Sequence, residues 1–191
     1  KMKKLLGAIA ALAMTVGLAA CGTPANQGTT NPNQLVVGME AGYPPFNWTQ
    51  NDDSNGGVKI QGTNQYAGGY DVEIAKLVAQ KLGKELVIVK TEWDGLTPAL
   101  ISGKIDAIIA GMSPTEERKA TIDFTDSYYD SQLVLVVKKG SKYANATSLA
   151  DFAGAKVTAQ LNTFHYSVID QIPGVDNACC TSSRNNRCLR F

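Results

Sequence analysis

The sequence is poor in the side chains that build metal sites and disulfide bonds. Its single histidine, His165, excludes a site made from a histidine pair and a two-histidine zinc finger. No cysteine lies between residues 22 and 178, so we expect no disulfide bond within the body of the fold. The four cysteines lack the paired spacing of a zinc ribbon, and the glycines form no phosphate-binding or dinucleotide-binding motif. The sequence therefore predicts a protein with no cofactor.

The chain also has almost no net charge, with 18 Lys and Arg against 17 Asp and Glu. Six of the basic residues, and none of the acidic ones, lie in residues 1–20 and 177–191. The segment between them therefore carries a net charge of −5. A basic surface for nucleic acid is excluded by this distribution, and we expect no nucleic-acid partner.

The first twenty residues have the pattern of an export signal. Three lysines among the first four residues precede sixteen uncharged residues, a run short for a membrane-spanning helix of about 20. The run ends in Leu18-Ala19-Ala20-Cys21, which resembles the bacterial lipobox, where the cysteine is acylated and begins the mature protein. We expect a signal peptide over 1–20 and a lipid anchor at Cys21 that holds the protein on the extracellular or periplasmic face of the cell membrane. An N-terminal anchor helix with a chance cysteine is the alternative.

A tether and an α/β pattern follow. Residues 22–34 contain no aliphatic side chain except Ala25, which predicts a flexible tether over 21–34. Apolar periodicity then predicts strands and helices in alternation, which indicates a parallel sheet. The predicted elements are a strand at Leu35–Met39, a hairpin with a long tip in Asn47–Gly69, a helix at Asp71–Leu82 with Asp71 as N-cap, a strand at Leu86–Val89, a helix at Asp94–Ser102 with Pro98 in its first turn, and a strand at Ile105–Ala110.

The second half of the chain is predicted with shorter elements. A strand at Leu133–Val137 is long enough to leave one lobe and enter another. The other predicted elements are a short helix at Thr115–Ala120, a helical turn at Leu149–Gly154, a strand at Lys156–Ala159 and an amphipathic helix at Thr163–Ile172.

Several short motifs follow one another in a definite order and spacing. They are Gly-Tyr-Pro-Pro-Phe at 42–46, Gly-Tyr-Asp-Val-Glu-Ile-Ala at 69–75, Trp-Asp-Gly-Leu-Thr-Pro-Ala-Leu at 93–100, Gly-Lys-Ile-Asp-Ala at 103–107, Ala-Gly-Met-Ser-Pro-Thr-Glu-Glu-Arg at 110–118, and Ile122-Asp123-Phe124-Thr125 with Tyr128. Together they resemble the extracellular solute-binding proteins of polar amino-acid ABC importers (family 3), over roughly residues 35–175. The resemblance implies a two-lobed fold like that of type II periplasmic binding proteins. It also implies a free amino acid as ligand and the transmembrane subunits of an ABC permease as partners.

The chemistry of an amino-acid ligand agrees with this resemblance. Arg118 offers a planar, bidentate fork for a carboxylate. The backbone of Gly111, Met112 and Ser113 and the Ser113 hydroxyl precede a short helix, an arrangement that favours an anion. The resemblance implies that Arg118, Ser113 and the Gly111 backbone hold the α-carboxylate and α-ammonium groups. A surface ion pair between Arg118 and a neighbouring glutamate is the alternative.

Further site residues are implied by the same resemblance. Tyr43 and Trp93 match aromatic positions that pack on the ligand side chain, although ordinary burial also explains them. Glu40 matches a position that sometimes contacts that side chain, and a solvated loop carboxylate is an equal alternative. Thr163 offers its hydroxyl and N–H, and the preceding Asn162 replaces a glycine common in the family. Asp94 is interpreted as a helix cap.

The chain departs from the family near its C-terminus. Residues 177–191 hold three of the four cysteines and three of the four arginines without periodicity, which indicates an out-of-frame or chimeric tail, or alternatively a genuine Cys-rich one. We therefore expect a nearly complete first lobe over 35–137 and a partial second lobe over 138–176. The acidic residue that the family places late in the second lobe has no counterpart. Weak ligand binding or none is the consequence we expect.

The leading hypothesis from the sequence is a lipid-anchored receptor that delivers an amino acid to an ABC permease, with no enzymatic activity. A non-functional truncated product is the alternative. An enzyme of the same fold, related to dehydratases or cell-wall lyases, is favoured less because the sequence shows neither an extra acid nor a catalytic domain.

Overall fold

A computed structural model describes residues 31–177 of the chain. The predicted signal peptide, Cys21, the tether up to residue 30 and residues 178–191 lie outside the described residues. The strands are β1 (Gln34–Met39), β2 (Gly42–Tyr43), β3 (Asn47–Gln50), β4 (Val58–Lys59), β5 (Tyr66–Gly68), β6 (Glu85–Lys90), β7 (Ala107–Ile108), β8 (Lys156–Val157) and β9 (Asp176–Asn177). The α-helices are α1 (Tyr70–Leu82), α2 (Trp93–Ile101), α3 (Glu116–Lys119) and α4 (Phe164–Ser167). Three 3-10 helices span Ser54–Gly56, Leu149–Phe152 and Ile169–Gln171.

The predicted parallel sheet is confirmed and has the strand order β6-β1-β7. β1 lies in the centre and pairs in parallel with both neighbours, with Val37 opposite Ile88 on one side and Ala107 on the other. Helix α1 packs against β6 and β5, and α2 packs against β1 and β7. The predicted hairpin is also confirmed, because β3 pairs antiparallel with β5 in a second sheet of order β2-β3-β5-β4.

The strand predicted at Ile105–Ala110 is shorter than expected. Only Ala107 and Ile108 form a strand, although Asp106 N–H and Ile109 N–H donate to carbonyls of β1 on either side. The Asp106 side chain also accepts the Val36 N–H at 2.8 Å, so a carboxylate oxygen replaces a backbone carbonyl in the ladder. That substitution shortens the regular pairing.

Two details of the helices were predicted wrongly. The N-cap of α1 is Gly69, at φ 123°. Glycine is required at this position, because a Cβ would collide with the Phe46 carbonyl oxygen. Asp71 is instead fully buried within the first turn, where its carboxylate accepts hydrogen bonds from other parts of the chain. Pro98 lies in the interior of α2, beyond the first turn in which its missing N–H would cost least.

The buried hydrophobic side chains of residues 31–177 form two separate clusters. The larger is built by the parallel sheet with α1 and α2, and its fully buried members include Val37, Ile88 and Leu96. The smaller is centred on Phe152 and Ile172. The separation agrees with two lobes, and the boundaries 35–137 and 138–176 stay a prediction.

The second half of the chain is less regular than predicted. Residues 133–137 form no strand, and Val134 and Val136 are 77% and 82% exposed. A β-branched run becomes a strand only beside a partner strand, and none pairs with it within residues 31–177. The helix predicted at Thr163–Ile172 ends at Ser167 and continues as a 3-10 helix. Pro173 forces Ile172 into an extended conformation, and the tighter turn buries both Ile169 and Ile172.

Candidate functional site

The candidate site lies at the carboxyl ends of the three parallel strands. Glu40 directly follows β1, Trp93 follows β6 after a two-residue connection, and Gly111 follows β7. In open α/β sheets, this edge is where ligands bind, because the loops that leave neighbouring strands meet there. A pocket of about 210 Å³ opens at this place, lined by Trp93, Asp94, Thr97, Met112, Arg118 and Asn162.

Arg118 is the central cation of the pocket. Its guanidinium lies over the Trp93 ring, 5.4 Å from the ring centre. Nη1 donates to the Ser113 carbonyl at 2.9 Å, and Nη2 donates to the Asn162 carbonyl at 3.0 Å. Burial lowers the pKa of Arg118 from its ordinary value, with the Glu117 carboxylate acting in the opposite direction. The guanidinium still carries its charge at neutral pH, so a half-buried fork with several N–H donors faces the pocket.

Asn162 closes the pocket from the second half of the chain. Its carbonyl oxygen accepts both from Arg118 and from Trp93 Nε1, the latter at 2.9 Å. Its Nδ2 donates to Asp94 Oδ1 at 2.9 Å. The residue adopts φ 60°, a left-handed conformation that asparagine tolerates better than most residues and that glycine adopts freely. Two strong donors thus converge on one carbonyl oxygen.

The other predicted site residues lie around this pocket. A Cβ on Gly111 would be 3.5 Å from Cε1 of Tyr43, so this tyrosine stands beside the loop. Tyr43 is 43% exposed and stacks on Phe46 at 5.2 Å between ring centres. The Thr163 hydroxyl donates to the Gln160 carbonyl at 2.6 Å and accepts from Tyr166 N–H, which makes it the N-cap of α4. Its hydroxyl is therefore already used within the loop.

Acidic side chains lie beside the pocket. Burial is the main cause that raises the pKa of Glu40 from its ordinary value, and a hydrogen bond from Gln160 opposes it. The negative charges of Glu92 and Asp94 raise this pKa further, and Lys90 lowers it. Three carboxylates, Glu40, Glu92 and Asp94, therefore lie close enough to influence one another at this end of the cleft.

Two pocket-lining residues were missed by the sequence interpretation. Asp94 was interpreted as a helix cap, but the N-cap of α2 is Glu92, and the Asp94 side chain accepts from Asn162. Thr97 was not considered at all. It lies four residues after Trp93 on a helix, a spacing that places both on one face and would have identified it.

Residues 31–177 include no helix that combines the length and the hydropathy needed to cross a bilayer. The same residues contain no group of three or more His, Cys, Asp or Glu side chains placed to hold a metal ion.

The fold and the position of the site define a type II periplasmic-binding-protein-like protein. The family model of bacterial extracellular solute-binding proteins, family 3, matches residues 35–173. The chain belongs to this family, which confirms both the resemblance and the fold class inferred from the motifs. Members of this family act outside the cell membrane, in the extracellular or periplasmic space.

Relatives of the chain bind amino acids. It is 34% identical over 162 residues to the arginine-binding extracellular protein ArtP of Bacillus subtilis, covering 85% of this chain and 57% of ArtP. A solved structure of an ancestral arginine-binding protein bound to arginine has a TM-score of 0.61 and 38% identity, covering 75% of this chain and 60% of that one. The ancestral amino-acid-binding protein AncCDT-1, a precursor of cyclohexadienyl dehydratase, has a TM-score of 0.60 and 34% identity, covering 75% and 59%. The chain therefore spans little more than half the length of proteins that it matches.

Proposed function

We propose that the chain binds a free amino acid at the pocket around Arg118 and that, in the cell, it presents this ligand to an ABC permease. The observation that carries the proposal is the half-buried guanidinium, which lies on Trp93 and donates to a backbone carbonyl that a ligand can replace. An α-carboxylate is a stronger acceptor than the Asn162 carbonyl, because its hydrogen bonds are charge-assisted. It would take over the bonds from Arg118 Nη2 and Trp93 Nε1.

Contacts between the two halves of the chain support a cleft that closes on its ligand. Asn162 bonds to Trp93, Arg118 and Asp94, and Gln160 Nε2 donates to the Glu40 carboxylate at 3.2 Å. These contacts join the segment assigned to the second lobe with the strand ends of the first. Hinge closure around a ligand is the motion that such an arrangement serves.

The ligand that fits best is an amino acid with a cationic side chain. Arg118 would hold the carboxylate end, while Glu40, Glu92 and Asp94 create negative potential beside the pocket. ArtP is named for arginine, and an ancestral relative was solved with arginine bound. AncCDT-1 is itself named an amino-acid-binding protein, which agrees with binding rather than catalysis.

Titration of the purified chain with L-arginine, followed by amide chemical shifts, tests this proposal. We expect saturable shifts at Trp93, Ser113 and Asn162, with micromolar to millimolar dissociation constants because the chain covers only part of the family's length. L-Glutamate, whose side chain carries the opposite charge, is the matched control and should bind more weakly. If no residue of the pocket responds to L-arginine at millimolar concentrations, the alternative of a non-functional product is favoured instead.

We further propose that Cys21 carries the lipid that holds the protein on the membrane. The support is the Leu-Ala-Ala-Cys sequence after an apolar run, followed by a polar tether. A diacyl group on one cysteine buries two hydrocarbon chains, which is enough for stable anchoring at about 0.8 kcal/mol per methylene.

Replacing Cys21 by serine should release the protein from the membrane. The parent and Cys21→Ser, both including residues 1–20, are expressed in a bacterial host, and the cells are extracted with a phase-separating detergent. The parent should enter the detergent phase and Cys21→Ser the aqueous phase, because serine lacks the thiol that is acylated. Cys179→Ser is the matched control and should partition like the parent. Equal partitioning of Cys21→Ser and the parent would contradict the lipid anchor.

A further inference from the structure

A chain of hydrogen bonds runs from the pocket loop into the protein interior. Gly111 N–H donates to the Tyr128 hydroxyl at 3.3 Å, and that hydroxyl donates to Asp71 Oδ1 at 2.8 Å. Asn47 Nδ2 donates to the other carboxylate oxygen, Asp71 Oδ2, at 2.7 Å. Both Asp71 and Asn47 are fully buried, whereas Gly111 is exposed. The Tyr128 hydroxyl therefore links the binding loop, residues 111–113, by hydrogen bonds to the buried Asp71.

The direction of these bonds is determined by the chemistry of the groups. Both oxygens of Asp71 receive a donor, which favours the ionised carboxylate, although burial raises its pKa from the ordinary value. An ionised carboxylate only accepts, so the single hydroxyl proton of Tyr128 points at Asp71. The lone pairs of the hydroxyl are then free for Gly111 N–H. Burial and the charge of Asp71 also raise the pKa of Tyr128 well above its ordinary value, so the phenol keeps its proton.

Tyr128 also forms a hydrogen bond with Tyr70, which precedes Asp71 in helix α1. The Tyr70 hydroxyl donates to the backbone carbonyl of Tyr128 at 3.2 Å, and the two rings lie 6.2 Å apart. Tyr70 and Asp71 are the first two residues of α1. The start of this helix therefore fixes both the backbone and the hydroxyl of Tyr128.

The bond to Tyr128 orients the start of the binding loop. Gly111 has φ 61°, and two residues later the Ser113 carbonyl accepts from Arg118 Nη1 at 2.9 Å. A rotation of the Gly111 peptide would move Ser113 and with it the resting position of the guanidinium. An orientation fixed before ligand arrives lowers the cost of ordering the loop on binding.

We propose that Tyr128 is a positioning residue for the loop Gly111–Ser113, and that Asp71 and Asn47 orient its hydroxyl. This inference rests on the proposed amino-acid site. The proposed change is Tyr128→Phe, which keeps the ring and removes only the hydroxyl. The loss of one hydrogen bond should weaken L-arginine binding about threefold to tenfold.

The matched control is Tyr129→Phe. Tyr129 is adjacent in sequence and packs in the same aromatic group, with its ring 5.0 Å from that of Phe46 and 5.6 Å from that of Tyr70. Its hydroxyl takes no part in the chain of bonds to Gly111. Ile88→Val serves as a second control, because it lowers stability within the core without touching the loop. Both controls should bind L-arginine as the parent does.

The amide of Gly111 supplies a readout that a general loss of stability would not reproduce. In Tyr128→Phe this amide should shift in the ¹H–¹⁵N spectrum and exchange its hydrogen faster, while in both controls it should match the parent. Asp71→Asn should behave more like the parent than Tyr128→Phe does, because its amide oxygen still accepts from Tyr128. Asn47 Oδ1 is buried without a partner among the described residues. Rotation of the Asn47 amide would let this oxygen accept from the Nδ2 that the substitution introduces at position 71.

Two results would overturn the positioning role. One is a Gly111 amide in Tyr128→Phe that is indistinguishable from that in Tyr129→Phe. The other is an affinity loss in Ile88→Val equal to that in Tyr128→Phe, which would assign the effect to stability. If the parent itself fails to bind L-arginine, the proposed function fails, and the Gly111 amide still decides whether Tyr128 orders the loop.

Discussion

Replacing Arg118 by alanine is expected to abolish measurable binding of L-arginine. The substitution removes the only guanidinium that lines the described pocket and also the cation stacked on Trp93. Loss of one partner from a buried, hydrogen-bonded charge pair costs about 2–5 kcal/mol. At about 1.4 kcal/mol per tenfold change, this corresponds to a loss of affinity of roughly thirtyfold to several thousandfold. On binding, the ligand carboxylate would then exchange its hydrogen bonds with water for bonds from the Trp93 N–H and backbone N–H groups only.

Two companion variants make this result interpretable. Lys119→Ala removes a neighbouring cation that pairs with Glu116 on the exposed side of α3, and it should leave the affinity unchanged. Arg118→Lys keeps the charge but loses the planar fork, so it should restore only part of the affinity. Titration calorimetry or amide shifts give the affinities, and unfolding without ligand should be similar in all three variants. An Arg118→Ala protein that binds L-arginine like the parent would remove this residue from the site.

We expect Leu96→Ala to lower the free energy of unfolding more than any of the other substitutions proposed for this protein. Leu96 is fully buried in α2 and packs on Gly38 of β1, where a Cβ would lie 3.2 Å from its Cδ2. Truncation of a buried leucine costs about 2–5 kcal/mol, because apolar contacts are lost and a cavity remains. The free energy of unfolding of a domain is only about 5–15 kcal/mol, so this substitution would remove a large part of it.

The matched control is Leu77→Ala, in the interior of α1, where the side chain is 56% exposed. An exposed leucine loses little on truncation, and alanine favours the helix, so its effect should stay within about 0.5 kcal/mol. Urea denaturation followed by circular dichroism measures the free energy of unfolding of both. A loss in Leu96→Ala no greater than in Leu77→Ala would show that α2 does not hold the core together.

The elements that carry their own periodicity could be predicted from the sequence. The short apolar runs of β1 and β6 and the apolar stripe of α1 need only local sequence to be recognised, and all three lie within one or two residues of the predicted bounds. The order of the motifs was enough to indicate the family. Arg118 was proposed as a carboxylate ligand because of the resemblance to the family, and the structure places it in the wall of the pocket.

The role of a carboxylate or an apolar run depended on its neighbours in space. Asp71 and Asp94 were both predicted to cap the start of a helix. Asp71 is instead buried beside Asn47 and Tyr128, and Asp94 lines the pocket opposite Asn162. The donors that decide their roles come from residues 24 to 68 positions away. The strand predicted at 133–137 failed for the same reason, since a ladder requires a second strand.

By itself, then, the sequence determined the helices and strands of the parallel sheet, the family and the cation that defines the candidate site. Only the tertiary structure decided that the Asn162 carbonyl meets Arg118 and Trp93, and that Gly111 is tied through Tyr128 to the buried Asp71. The backbone sets the periods of helices and strands, so the pattern of apolar residues along a short segment is enough to predict them. A hydrogen bond between distant segments forms only after the chain has packed, so its partners follow from the packing rather than from their spacing in the chain.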